Sequence, residues 1–174
     1  MQGTIFELEE FLRGSAVTCY TVRSAKQNWS LADQFLNSFT DPEDPMFIPG
    51  FQDEIEDLVH LVEFIAENGM GRFILRQENS AHALPPKKIF GQGARHLMRL
   101  PTYSLRWYCM VWPPNILILF GGGIKRSQRN EDSPGVYSAF MLADRITKQI
   151  DQMIVEGSLA EHNGTLVGDL YFFT

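Results

Sequence analysis

Cysteine is scarce in this sequence: 174 residues contain two, Cys19 and Cys109, far apart and in no C-x-x-C pair. Neither a disulfide framework nor a cysteine zinc site is indicated, and both residues read as core positions of a reduced protein. Long apolar runs are missing too. The longest, residues 116–123, is strand-sized and far short of the roughly 18 residues that a membrane-spanning helix needs. The opening MQGTIFELEEF has no early bases, which argues against a secretory leader and for a cytoplasmic location. The four histidines, His60, His82, His96 and His162, form no H-x-x-x-H or H-E-x-x-H pattern, so neither metal nor cofactor is expected. No G-x-S-x-G elbow occurs. The segment GGGIKRS lacks the spacing of a phosphate-binding P-loop.

Positive charge is also missing from most of the chain. The overall net charge is −6, yet residues 1–71 carry −10, residues 72–130 carry +9 and residues 131–174 carry −5. The total therefore says little about partners, and the middle third is judged alone. With 44% hydrophobic residues the chain is too apolar for disorder. Its length suits one compact domain.

Several elements are legible. Residues 16–23 (AVTCYTVR) are β-branched and aromatic and read as a strand. Residues 29–39 follow with Leu31, Phe35, Leu36 and Phe39 on one helical face and Ser30 as N-cap. The clearest helix of the first half covers residues 51–68, with acids in its first turns and Gly69 at its end. Residues 72–76 are strand-like, and a turn-rich segment runs through Pro85 and Pro86. Residues 103–112 and 116–120 predict a hairpin across Pro113-Pro114-Asn115, and the polar-free ILILF predicts a central strand covered on both faces. Gly121 to Gly123 predict a bend, a bulge or a close backbone approach. A closing helix begins at Ser133-Pro134 and stops at Gly157. A tail at 157–174 adds an edge strand or docks on the core. This order predicts an α+β fold, a small antiparallel sheet packed against helices in a single domain.

The basic centre offers a site. Arg95, His96 and Arg99 lead into the hairpin, Arg106 lies in its first strand, and Lys125, Arg126 and Arg129 follow the second. Pairing brings Arg99 and Arg106 towards Lys125 and Arg126. With Tyr103, Trp107, Tyr108 and Tyr137 close by in sequence, such a cluster binds a phosphate backbone and stacks bases. The alternative is a solvated outer face over a sheet whose aromatics are core. The cluster also permits RNA cleavage without metal, since arginine and lysine stabilise charge on a phosphorane.

The run HLMRLPTYSLRWYCMVWPPNILILFGGGIKRSQ, followed by SPGVYSAFMLADRI, resembles the RelE/HigB (RelE/ParE-like) superfamily of bacterial toxins. The family has a basic strand, a strand carrying an arginine, a turn, an apolar strand ending in a basic pair, and a C-terminal helix. The resemblance covers roughly residues 95–150, and the helix at 51–68 looks like part of the family's helical hairpin. It implies a RelE/ParE-like core at 51–156 with an N-terminal extension at 1–50. It also implies an antitoxin partner and a ribosome-dependent mRNA endoribonuclease activity. By position, Arg106, Lys125, Arg126 and Tyr137 would be catalytic, and Arg95, His96, Arg99 and Arg129 would bind RNA. Tyr137 lies farther from the basic pair than the family pattern places its tyrosine. ParE-like relatives act on DNA gyrase instead, and a second reading is a non-enzymatic module whose basic sheet binds an acidic partner.

Overall fold

Among the residues that the computed structural model describes, 3–126 and 134–174, the apolar run at 116–120 sits in the middle of a seven-stranded sheet. The elements in chain order are β1 (Ile5–Arg13), β2 (Thr18–Ser24), α1 (Leu31–Thr40), α2 (Gln52–Asn68), β3 (Phe73–Glu78), β4 (Ala81–Ile89) and the single turn α3 (Gln92–Arg95). They continue with β5 (Leu105–Trp112), β6 (Ile116–Ile124), α4 (Pro134–Glu156), β7 (Leu159–His162), β8 (Thr165–Gly168) and β9 (Tyr171–Phe173). The large sheet runs β3-β4-β5-β6-β2-β1-β9, and β7 and β8 pair as a separate ribbon. β3 to β6 form an antiparallel meander, whereas β2 lies parallel to β6, with Cys19 beside Leu117 and Thr21 beside Leu119.

Alternation along the central strands builds two cores. Ile116, Ile118 and Phe120 face one side with Tyr108, Met110 and the apolar stripe of α4. Leu117 and Leu119 face the other with Leu105, Trp107, Cys109 and the buried faces of α1 and α2. This two-sided cover explains why ILILF has no polar residue. On the α1 side Trp107 is fully enclosed, packs against the tilted ring of Phe35 at 5.1 Å between centroids and donates its indole N–H to the Phe120 carbonyl at 2.8 Å. Such a ring pair adds about 0.5–1.5 kcal/mol beyond the area it buries. Helix ends follow local chemistry: the Ser30 hydroxyl accepts from the Asp33 amide, and Gly69 closes α2 at φ 89°. The two thiols are free and buried, and burial pushes Cys19 up to about 12 and Cys109 up as well.

The sheet is larger than the small antiparallel one expected, and it is mixed. The difference comes from three strands. β1 carries Glu7, Glu9 and Glu10, but Phe6 and Leu8 point into the α4-side core, and Arg23 on β2 pairs with Glu7 at 2.7 Å and with Glu9 at 3.4 Å. Residues 5–24 thus supply two adjacent strands of the main sheet. β4 contains Pro85 and Pro86, which read as turn residues. It pairs with β5 only over His82 to Leu84, so both prolines sit where no β5 ladder bond is required. β9 caps the far edge beside β1. Ser133, the expected helix cap, and Arg129 lie outside the described residues. No helix among those described is long and apolar enough to cross a membrane.

Candidate functional site

The site begins with an irregularity in the β3–β4 ladder. Ile74 opposes Lys88, but two residues later Arg76 opposes Ala83, so β4 carries extra residues around Pro85 and Pro86. A bulge of this kind bends its strand and re-aims side chains. Here it opens a pocket of about 450 Å³ between β3, β4 and the loop entering β5. Arg76, Lys87, Lys88 and Arg106 supply its charge, with Pro85, Pro86, Leu100 and Tyr103 among its walls.

Arg106 is held from behind. One terminal nitrogen donates to the carbonyls of Tyr103 (2.8 Å) and Leu105 (2.9 Å), while Nε is enclosed and has no partner. Burial, and after it the nearby charge of Arg76, pushes the Arg106 guanidinium below its usual range. Arg76 is fixed by its Nε donating to the Pro85 carbonyl at 3.1 Å. None of the four cations makes an ion pair among the described residues. The charges of Glu78 and Glu54 act on Arg106 in the direction opposite to burial and Arg76 and offset part of their effect.

The other basic residues have different surroundings. Arg99 lies in the loop before β5, where its Nε meets Asp57 at 2.6 Å and a terminal nitrogen meets Glu56 at 3.4 Å. Lys125 extends the β6 ladder through its amide to the Ser104 carbonyl, and its ammonium stands 3.9 Å from Glu78. Arg126 follows the alternation to the opposite side and lines a separate pocket with Ser38, Phe39 and Ile48. The expected basic pair is therefore divided between the two faces of the sheet. Arg95 and His96 are exposed at the end of α3, and Tyr137 is exposed in the first turn of α4. Trp107 and Tyr108, expected as base-stacking surface, are core residues. Arg76, Lys87 and Lys88 belong to the basic third of the chain but were not singled out by sequence. Among the described residues no three His, Cys, Asp or Glu side chains gather as metal ligands would.

Asp57 secures the wall of this pocket from α2. Its buried carboxylate accepts from the Arg99 amide (3.2 Å), the Arg99 Nε (2.6 Å) and the Tyr103 hydroxyl (2.5 Å). Burial, reinforced by the bond to Asp57, pushes the Tyr103 phenol up to about 12 from the usual 10. Folded and unfolded chains both hold this proton below pH 10, but between 10 and 12 only the unfolded chain releases it. Stability is thus expected to fall as pH rises across that window. Urea midpoints at successive pH values should show a shallower fall for Tyr103→Phe than for the wild type, and parallel curves would refute the assignment.

Chemically, the pocket can bind a phosphate and stabilise negative charge developing on it. Its lining holds no histidine and no carboxylate. Comparison with family models, with curated proteins and with solved structures gives no match to this chain.

Proposed function

We propose that this chain is a toxin-like component of a toxin–antitoxin system, with a RelE/ParE-like core at 51–156, that acts on RNA in the cytoplasm. The observation that carries the reading is a pocket lined by four cations and by no carboxylate, with the half-buried Arg106 among them. The element order supports it: a helical pair, the β3–β4 hairpin whose second strand is basic, the single turn α3, the arginine strand β5, an apolar strand β6 followed by Lys125 and Arg126, and the closing helix α4. In this arrangement Lys87 and Lys88 take the place of the family's basic first strand. On the nuclease reading Arg76 and Arg106 hold the phosphate and stabilise phosphorane charge as the 2′-oxygen bonds to phosphorus and the P–O5′ bond breaks. This leaves a 2′,3′-cyclic phosphate and a 5′-hydroxyl, with solvent water taking the 2′-hydroxyl proton and returning one to the leaving oxygen. Tyr137, exposed on α4, is the nearest match to the tyrosine of the family's closing helix.

A second reading draws on the same lining. With no proton acceptor in the pocket itself, a non-enzymatic module that binds an acidic partner needs only the cations. Induced expression followed by mapping of mRNA ends separates the two. New ends are expected with the wild type and none above background with Arg76→Ala/Arg106→Ala. Growth arrest without new ends would remove the nuclease reading and favour an acidic protein partner or a gyrase-type target. In filter binding, the double substitution is expected to weaken RNA affinity roughly thirtyfold, and Lys87→Ala to reduce the salt slope by about one.

A further inference from the structure

We propose that the pocket at the β4 bulge takes a terminal phosphomonoester of RNA; the proposal rests on the RNA-binding reading above and puts the RNA end, in place of a scissile diester, in this pocket. The argument is one of charge and room. An internal phosphodiester carries one negative charge, whereas a phosphomonoester carries about −1.5 to −2 near neutral pH and offers three acceptor oxygens. Arg76, Lys87, Lys88 and Arg106 bring four cations to one pocket, and no Asp or Glu lines it. Burial, and after it repulsion by Arg76, lowers the Arg106 pKa against the opposing charges of Glu78 and Glu54, and a dianion between the two guanidiniums offsets both effects better than a single charge. Guanidinium groups also match the fork of phosphate oxygens, and a terminal phosphate leaves more of those oxygens open to them.

The size agrees. About 450 Å³ lies in the lower part of the ~300–1,000 Å³ range typical of small-ligand sites, suited to one end nucleotide. The walls are divided by chemistry. Cations gather from β3, β4 and β5, while Pro85, Pro86, Leu100 and Pro101 provide an apolar surface for sugar and base. Both strand prolines are buried and their segment is tied to Arg76 through the Pro85 carbonyl, so the apolar wall and a phosphate ligand are positioned together.

The test is fluorescence anisotropy of the full chain with one short single-stranded RNA made in three forms: 5′-phosphorylated, 3′-phosphorylated, and hydroxyl-ended at both termini. One phosphorylated form is expected to bind at least tenfold tighter than the hydroxyl-ended form, and which one identifies the end recognised. The advantage should vanish in Arg76→Gln. It should vanish equally in Lys87→Gln/Lys88→Gln, whose exposed side chains make substitution safe for folding, and should survive in Lys26→Gln, outside the pocket. Equal affinity for all three RNAs, reduced in the pocket variants, overturns end recognition while leaving RNA binding intact. No measurable binding of any form overturns both. Tighter binding of a phosphoserine peptide than of any RNA overturns the proposal in favour of a phosphoprotein.

Discussion

Asp57→Ala is expected to cost the fold about 3–5 kcal/mol, the range for removing one partner from a buried, hydrogen-bonded charge network. The carboxylate is almost fully enclosed and receives three donors from a single loop, two from Arg99 and one from Tyr103. Deleting it leaves the Arg99 amide and the Tyr103 hydroxyl without their acceptor. A nearby carboxylate does not substitute, because Glu54 already accepts the Ser104 and Leu105 amides. Asp57→Asn keeps the shape but offers one acceptor oxygen in place of two, so it should fall between wild type and alanine. Urea denaturation measures both. A loss below about 1 kcal/mol for alanine would show that the loop is held by other means. The substitution also reaches the site, since the Tyr103 carbonyl that Asp57 steadies is one of the two that hold Arg106. RNA affinity should therefore fall in Asp57→Ala at temperatures where the chain is still folded. A double-mutant cycle with Tyr103→Phe should show coupling, because the two side chains touch.

What could be read from sequence follows the range over which each element is determined. α1, α2 and the β5–β6 hairpin are set by local periodicity and caps: Ser30, Gly69 and the polar-free 116–120 all lie within a few residues of what they define. β1 was hidden because its acids are matched by Arg23 on the neighbouring strand. Its alternation from Phe6 to Glu9 then breaks at Glu10, where the register with β2 shifts. β4 was hidden because two prolines signal a turn unless the ladder they would interrupt is known to be absent. Missing that strand also concealed the site's other cations, since Arg76, Lys87 and Lys88 meet Arg106 only through the bulge.

Charge counting singled out the middle third of the chain but could not rank the cations within it. Arg99 and Arg106 stand seven positions apart and look alike in sequence. Yet Arg99 is neutralised by Asp57, 42 positions earlier on α2, while Arg106 has Arg76 for a neighbour. A net charge sums over such pairings and so cannot distinguish a cation already matched inside the protein from one left for a ligand. Lys125 and Arg126 show the same limit at shorter range. Adjacent residues at a strand end face opposite ways, and only one of this pair can share a face with Arg106.

The glycine run on β6 connects the fold to the site most directly, and Gly122→Val is expected to cost about 3 kcal/mol by overpacking. A Cβ at Gly122 would run into the Arg106 carbonyl oxygen and stand 2.9 Å from a ring carbon of Phe35. The backbone there does not need glycine for its conformation; it needs the missing side chain for room, because β5 shifts register against β6 between Trp107 and Cys109. Relief requires β5 to move away from β6 at Arg106 itself, which would displace the guanidinium from its position opposite Arg76. Gly69→Ala is the informative contrast. Its φ of 89° strains any side chain although nothing lies within 4 Å, so it should cost roughly 1 kcal/mol and leave RNA affinity unchanged. Measuring stability and affinity together separates the two glycines: Gly122→Val should lose both, at least tenfold in affinity for the folded chain. If Gly122→Val loses stability but binds RNA as the wild type does, the position of Arg106 on β5 is not what sets the affinity of the pocket.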